Sequence, residues 1–186
     1  VGAGNEHSLF VTKDGKLVVA GYNDNGQCGT GTTQQVRQLT PLQSLDGEEI
    51  VSVHVNNGCE HTLAITKDGK LYSFGYNYRG QLGHGTICSE STPRPIKNLM
   101  SKKVIFAASS YHHSIVCCSD GTMLSFGRND CGQLGQGDLA DRKSPQLITA
   151  VPKEVIGMSC GQFHSIIVTA GGEALVCGKN DYGQLG

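Results

Sequence analysis

Residues 75–83 read Gly-Tyr-Asn-Tyr-Arg-Gly-Gln-Leu-Gly, and the same nine-residue frame returns at 21–29, 127–135 and 178–186. In all four copies the first, third, sixth, seventh and ninth places are Gly, Asn, Gly, Gln and Gly, while the second, fourth and fifth places vary. A histidine stands 14 residues ahead of each first glycine (His7, His61, His113 and His164), and successive frames begin 54, 52 and 51 residues apart. Self-similarity at this period marks a propeller or another stacked array, whose units bury their faces only against neighbours.

From His61 the chain runs through an apolar stretch to Asp68-Gly69 and on to Leu71-Tyr72-Ser73-Phe74. Two short strands around Asp-Gly predict a β-hairpin with a type I′ turn, and Asp14-Gly15, Asp120-Gly121 and Gly171-Gly172 hold the same place in the other copies. These aspartates read as turn formers, not catalytic acids. The strand after each histidine is apolar on both faces, which predicts cover on both sides. Further strands are expected at residues 49–55, 103–108 and 154–159. An outer edge strand is expected at Pro93 to Leu99, where a solvent-facing edge tolerates proline. Four strands per unit make one blade, and no stretch has the length and period of a helix.

The chain has 186 residues, 38% of them hydrophobic and 17% charged, which excludes a disordered polymer. A formal net charge of -1 gives no bulk attraction to nucleic acid or anionic membrane. Of eight cysteines, Cys28, Cys117 and Cys177 fill repeat places held elsewhere by apolar residues, so they read as small buried hydrophobes in a reducing compartment, the cytosol or nucleus. Both ends of the sequence fall inside a repeat, so residues 1–186 are expected to be about half of a ring of seven or so blades, with no second domain. An open arc of this kind exposes two bare sheet faces, and the isolated segment is expected to associate unless the rest of its ring covers them.

Gly-x-x-His, the Asp-Gly hairpin, Gly-x-Asn-x-x-Gly-Gln-Leu-Gly, Gly-x-Gly and then Pro41, Pro93 or Pro145 make a pattern that resembles the repeats of the regulator of chromosome condensation family. The resemblance covers essentially the whole chain and implies an all-β, seven-bladed β-propeller of four-stranded antiparallel blades. It departs from the family in three respects. The tryptophan usual before the first frame glycine is replaced by Ala20, Phe74, Phe126 and Cys177, Ser110 replaces a glycine three before His113, and Cys28 replaces the frame leucine.

The phased histidines invite a metal reading, but equivalent atoms on successive blades stand around a ring, so a bond to local backbone is the expected role. The frame asparagines suit Asx turns, and the frame glutamines suit buried loop amides and carbonyls. Residues 135–140 mimic a dinucleotide fingerprint without the strand-to-helix setting it needs. No catalytic constellation, cofactor site or metal site is expected.

The variable frame places are the informative ones. Tyr22, Asp24, Tyr76, Tyr78, Arg79, Arg128, Asp130, Lys179, Asp181 and Tyr182 are the candidate partner-binding residues, since tyrosine and arginine most often anchor protein interfaces. The polar stretches 30–38, 84–91 and 136–143 form a second candidate surface. The expected function is a non-catalytic protein-binding module. By resemblance, such propellers serve as recognition or regulatory parts of larger proteins, including HECT-type ubiquitin ligases, with a ubiquitination substrate or regulator as partner. The alternative by resemblance is guanine-nucleotide exchange on a Ran-like small GTPase, which in the founding member uses an inserted β-wedge that the near-constant period here leaves no room for.

Overall fold

The computed structural model describes residues 1–56, 58–149, 151 and 154–186. Its strands form four antiparallel sheets in which neighbours in sequence are neighbours in space. Blade 1 holds β1 (Gly2–Ala3), β2 (His7–Val11), β3 (Leu17–Gly21) and β4 (Val36–Pro41). Blade 2 holds β5 (Ile50–His54), β6 (His61–Thr66), β7 (Leu71–Gly75) and β8 (Glu90–Pro95). Blade 3 holds β9 (Val104–Ser109), β10 (His113–Cys118), β11 (Met123–Gly127) and β12 (Arg142–Leu147), and blade 4 holds β13 (Val155–Cys160), β14 (His164–Thr169) and β15 (Ala174–Gly178). These are the blades of a β-propeller. β9 touches both β5 and β13, so the first strand of each blade lies nearest the axis, and Asn56 Nδ2 donates to the Cys160 carbonyl at 2.6 Å to join blade 2 to blade 4.

The hairpins depart from the expected type I′ turn. Thr12 N–H donates to the Lys16 carbonyl at 2.9 Å and Gly15 N–H to the Thr12 carbonyl at 3.0 Å, which closes a three-residue loop. Gly15, Gly69 and Gly121 have φ of 76°, 84° and 79°, and no described non-glycine residue has positive φ. A type I turn followed by a left-handed glycine lets the aspartate keep its Cβ in an allowed region. The register His61↔Gly75 to Ile65↔Leu71 then sets the histidine opposite the first frame glycine. Gly75 has φ 105°, and a β-carbon there would stand 2.6 Å from the Glu60 carbonyl, so this corner admits only glycine.

Blades stack through one aromatic place. Phe74 and Phe126 are fully buried, and each ring lies on the last frame glycine of the preceding blade. A β-carbon on Gly29 would meet Phe74 at 2.8 Å, and one on Gly83 would meet Phe126 at 3.1 Å. Cys177 holds this place in blade 4, and a cavity of about 210 Å³ lined by Ile115, Leu134, Ile148, Ile167, Leu175 and Cys177 lies between blades 3 and 4.

Burial on both faces holds for β6 and β10 along their whole length, but β2 and β14 alternate between buried and more exposed positions. The physical reason is position, because blades 2 and 3 have a described neighbour on each side and blades 1 and 4 on one side only. The proline strand also differs from its expected bounds. It starts earlier, at Glu90, and gives way after Pro95 to a 3₁₀ turn at Lys97–Leu99. Ile96 and Leu99 are both 1% exposed, and the three-residue period of that turn puts them on one side, facing the core. All eight cysteines are free; Cys28 and Cys117 are buried and Cys177 is half-buried. Burial pushes the Cys28 thiol up to about 11, as suits a packing residue.

Candidate functional site

The constant residues of the repeat are consumed by structure. His61 Nε2 lies 2.8 Å from Ser114 Oγ on the next blade, and that hydroxyl donates to the Gln81 carbonyl at 2.9 Å. A hydroxyl has one proton, so the ring nitrogen is the donor and the histidine is the neutral Nε2–H tautomer. His113 repeats this with Ser165 at 2.8 Å, and His7 with Thr62 at 3.3 Å. The Nε2 bonds run from blade to blade, and the expected bond to local backbone is corrected accordingly, because one edge of the buried ring faces a hydroxyl of the next sheet while Nδ1 faces side chains of its own loop. Desolvation holds His7 at about 4 and His61 and His113 at about 3. Ser110, in place of the usual glycine, lies 2.6 Å from His113 Nδ1, the acceptor left by that tautomer. The histidines stand on four separate blades, and among the described residues no group of three His, Cys, Asp or Glu could hold a metal ion.

The frame asparagine and glutamine fold their own corner. Asn77 Oδ1 accepts from Leu82 N–H at 2.9 Å, five residues on and beyond the span of an Asx turn, while Asn77 Nδ2 donates to the Thr86 and Cys88 carbonyls. Gln81 Oε1 accepts from Arg79 N–H at 3.0 Å, and Gln27, Gln133 and Gln184 do the same two residues back. These bonds leave the fourth frame side chain exposed in every blade, Tyr78 at 65%, and the fifth exposed at Arg79 and Tyr182, whereas Asn25 and Cys131 are half-buried. The second candidate surface is partly strand, because β4, β8 and β12 begin within it. Its loops bond outward to the next blade, Gly31 N–H to the Ser91 carbonyl and Gly85 N–H to the Lys143 carbonyl.

All ten variable candidates lie along the edge of the blades where their frames sit, here called the frame rim. Tyr22 Oη donates to Asp24 Oδ2 at 2.9 Å. Tyr76 and Tyr78 pack with their rings tilted by 55° and centroids 4.8 Å apart, and Arg79 pairs with Asp141 of the next blade at 3.2 Å. Arg128 pairs with Asp130 at 2.5 Å and Lys179 with Asp181 at 3.0 Å.

The residue just before each histidine, which the sequence reading passed over, belongs to the same rim. Tyr22, Tyr76, Arg128 and Lys179 donate their N–H groups to the carbonyls of Glu6, Glu60, His112 and Phe163 at 2.8 to 2.9 Å. Rings then reach across the blade junction. Tyr76 lies 5.4 Å from His112, Tyr111 packs edge-on to His112 at 4.3 Å, and Arg128 and Lys179 sit 4.9 and 5.6 Å from the centroid of Phe163. Gln81 Nε2 meets His112 Nδ1 at 3.3 Å, whereas Phe163 offers no such acceptor and the buried Gln133 Nε2 has no partner among the described residues. The signal was in the hairpin register, since a histidine opposite the first frame glycine forces the preceding residue opposite the second frame place.

Comparison with known proteins agrees with this architecture. The RCC1-like domain model matches residues 1–186. Human E3 ubiquitin-protein ligase HERC2 is 35% identical over 98% of this chain and 4% of that protein. The ultraviolet-B receptor UVR8 of Arabidopsis thaliana is 33% identical over 100% of this chain and 42% of its own length. The crystal structure of human WBSCR16 superposes with a TM-score of 0.84 at 26% identity, covering 96% of this chain and 46% of that one. The chain thus spans less than half the length of each of these relatives. Four phased blades, their histidine bridges and the match along the full sequence place this chain in the RCC1-like domain family.

Proposed function

We propose that this chain is a non-catalytic recognition module that binds a partner protein through the frame rim, as part of a larger polypeptide. The observation that carries it is the division of labour within each repeat. In blades 1 to 3 the constant His, Asn and Gln are buried, and the variable Tyr, Arg, Lys and Asp are gathered on one edge. Rigid corners presenting rings and guanidinium groups match the physics of interface anchors, which lose little conformational entropy on binding. The rim ion pairs are exposed and add little stability, so their side chains are available to a partner at small cost. A regulator or substrate of ubiquitination fits such a module, given the likeness to HERC2.

Guanine-nucleotide exchange is the weaker reading. The connections from β3 to β4, β7 to β8 and β11 to β12 occupy residues 22–35, 76–89 and 128–141, equal in length and without an inserted wedge. The test is capture of the physiological partner by the complete ring carrying Tyr76→Ala, Tyr78→Ala and Arg79→Ala together. Capture should weaken by about 100-fold or more. Unchanged capture overturns the assignment of the rim.

A further inference from the structure

The rim treats its aromatic rings in two ways. At the junction of blades 3 and 4 the ring is Phe163, and the protein's own Arg128 and Lys179 lie over it, each held by an aspartate. Blades 1 and 2 reverse the residue types. Tyr22 and Tyr76 take the places of Arg128 and Lys179, and Glu6 and Glu60 take the places of His112 and Phe163. Rings and carboxylates are present there, and among the described residues no lysine or arginine pairs with Glu6 or Glu60 or lies over Tyr22 or Tyr76.

We infer that the Glu6–Tyr22–Glu60–Tyr76 segment of the frame rim takes a lysine or arginine side chain from the partner protein, seated against the tyrosine faces and neutralised by the two glutamates. This deepens the recognition reading and rests on it. Glu60 is only partly exposed, accepts from Asn25 Nδ2 at 3.0 Å with one carboxylate oxygen and has no cation on the other. Burial and then the charge of Glu6 push its carboxyl up, which places the two carboxylates within each other's field. The Tyr22 phenol is raised by its bond to Asp24 and by burial, with Glu60 and Glu6 adding to the effect, so ring and carboxylates share one patch. A cation over a tyrosine face gains from the ring's quadrupole, and a carboxylate beside it adds a charge-assisted hydrogen bond. Of the basic groups around Tyr76, Arg79 is turned to Asp141, and His112, 5.4 Å away, is held neutral by burial.

The probe is a fluorescein-labelled peptide of alternating arginine and glycine, with a lysine version as a second arm, titrated at low ionic strength into the complete ring. Both should bind. Glu6→Gln with Glu60→Gln should weaken binding about ten-fold or more, and Tyr22→Leu with Tyr76→Leu about five- to thirty-fold. Asp46→Asn with Asp68→Asn, which removes the same charge from exposed turns away from this rim, should leave binding within two-fold, roughly the effect of distant exposed charges. Equal loss in the control pair, or no binding of either peptide, overturns the inference. Failure with both peptides while capture still depends on Tyr76, Tyr78 and Arg79 removes the cation site alone, whereas capture indifferent to those three removes the recognition reading itself.

Discussion

Lowering the pH from 6.5 to 5 should destabilise this protein by about 5 kcal/mol through His7, His61 and His113 together, with His54 and His112, which burial holds at about 4, adding to the loss. In the folded chain burial holds the first three rings neutral, at about 4, about 3 and about 3, against an ordinary value of 6.5. Below 6.5 the unfolded chain therefore binds protons that the folded chain refuses. Stability is fully present above the unfolded value and is lost as pH falls toward the folded values, by up to about 1.4 kcal/mol per pH unit for each ring. Protonation also removes the Nδ1 lone pair of His113 that faces Ser110 Oγ at 2.6 Å. Urea midpoints measured from pH 7 to pH 4.5 should fall steadily, and His113→Gln, less stable at pH 7, should show a shallower slope. A midpoint independent of pH between 7 and 5 contradicts the burial of neutral rings at the blade junctions.

Phe126→Ala should cost about 3–5 kcal/mol, close to the upper range for a single core truncation. The ring is fully buried in a cluster with Leu63, Val116 and Leu124 and supports Gly83 of blade 2, so its loss opens a junction between blades. The reverse change is available one blade on. Cys177→Phe puts an aromatic ring into the cavity of about 210 Å³ and should stabilise the chain by about 1–2 kcal/mol. Thermal unfolding of both variants checks the pair. A mild effect at Phe126, or a destabilised Cys177→Phe, would show that the aromatic place does not govern blade stacking.

The architecture was legible because it is written four times. The spacing of histidine, hairpin and frame specified the strands, their order and the edge position of the prolines, and bulk composition contributed little. The hairpin turn and the histidine were both misread for local reasons. Asp-Gly suggested a type I′ turn, but the residues flanking it close a three-residue loop in which only glycine has positive φ. The histidine looked like a local cap, but its partner is a Ser or Thr some fifty residues on, which only the packing of blades brings near. Half of the rim was legible. Variable frame places identified Tyr76, Tyr78 and Arg79, whereas Glu60, Tyr111 and His112 precede the histidine, outside the frame, and join the rim only through the hairpin register.

Hydrogen exchange on the complete ring, with and without its captured partner, tests the division between structural corners and a recognising rim. The account predicts slowed exchange at the amides of Tyr22, Tyr78, Arg79, Tyr111 and His112, and little change at the opposite hairpin turns 13–16 and 67–70. Protection confined to those turns, or to the outer loops 30–35 and 84–89, would contradict it.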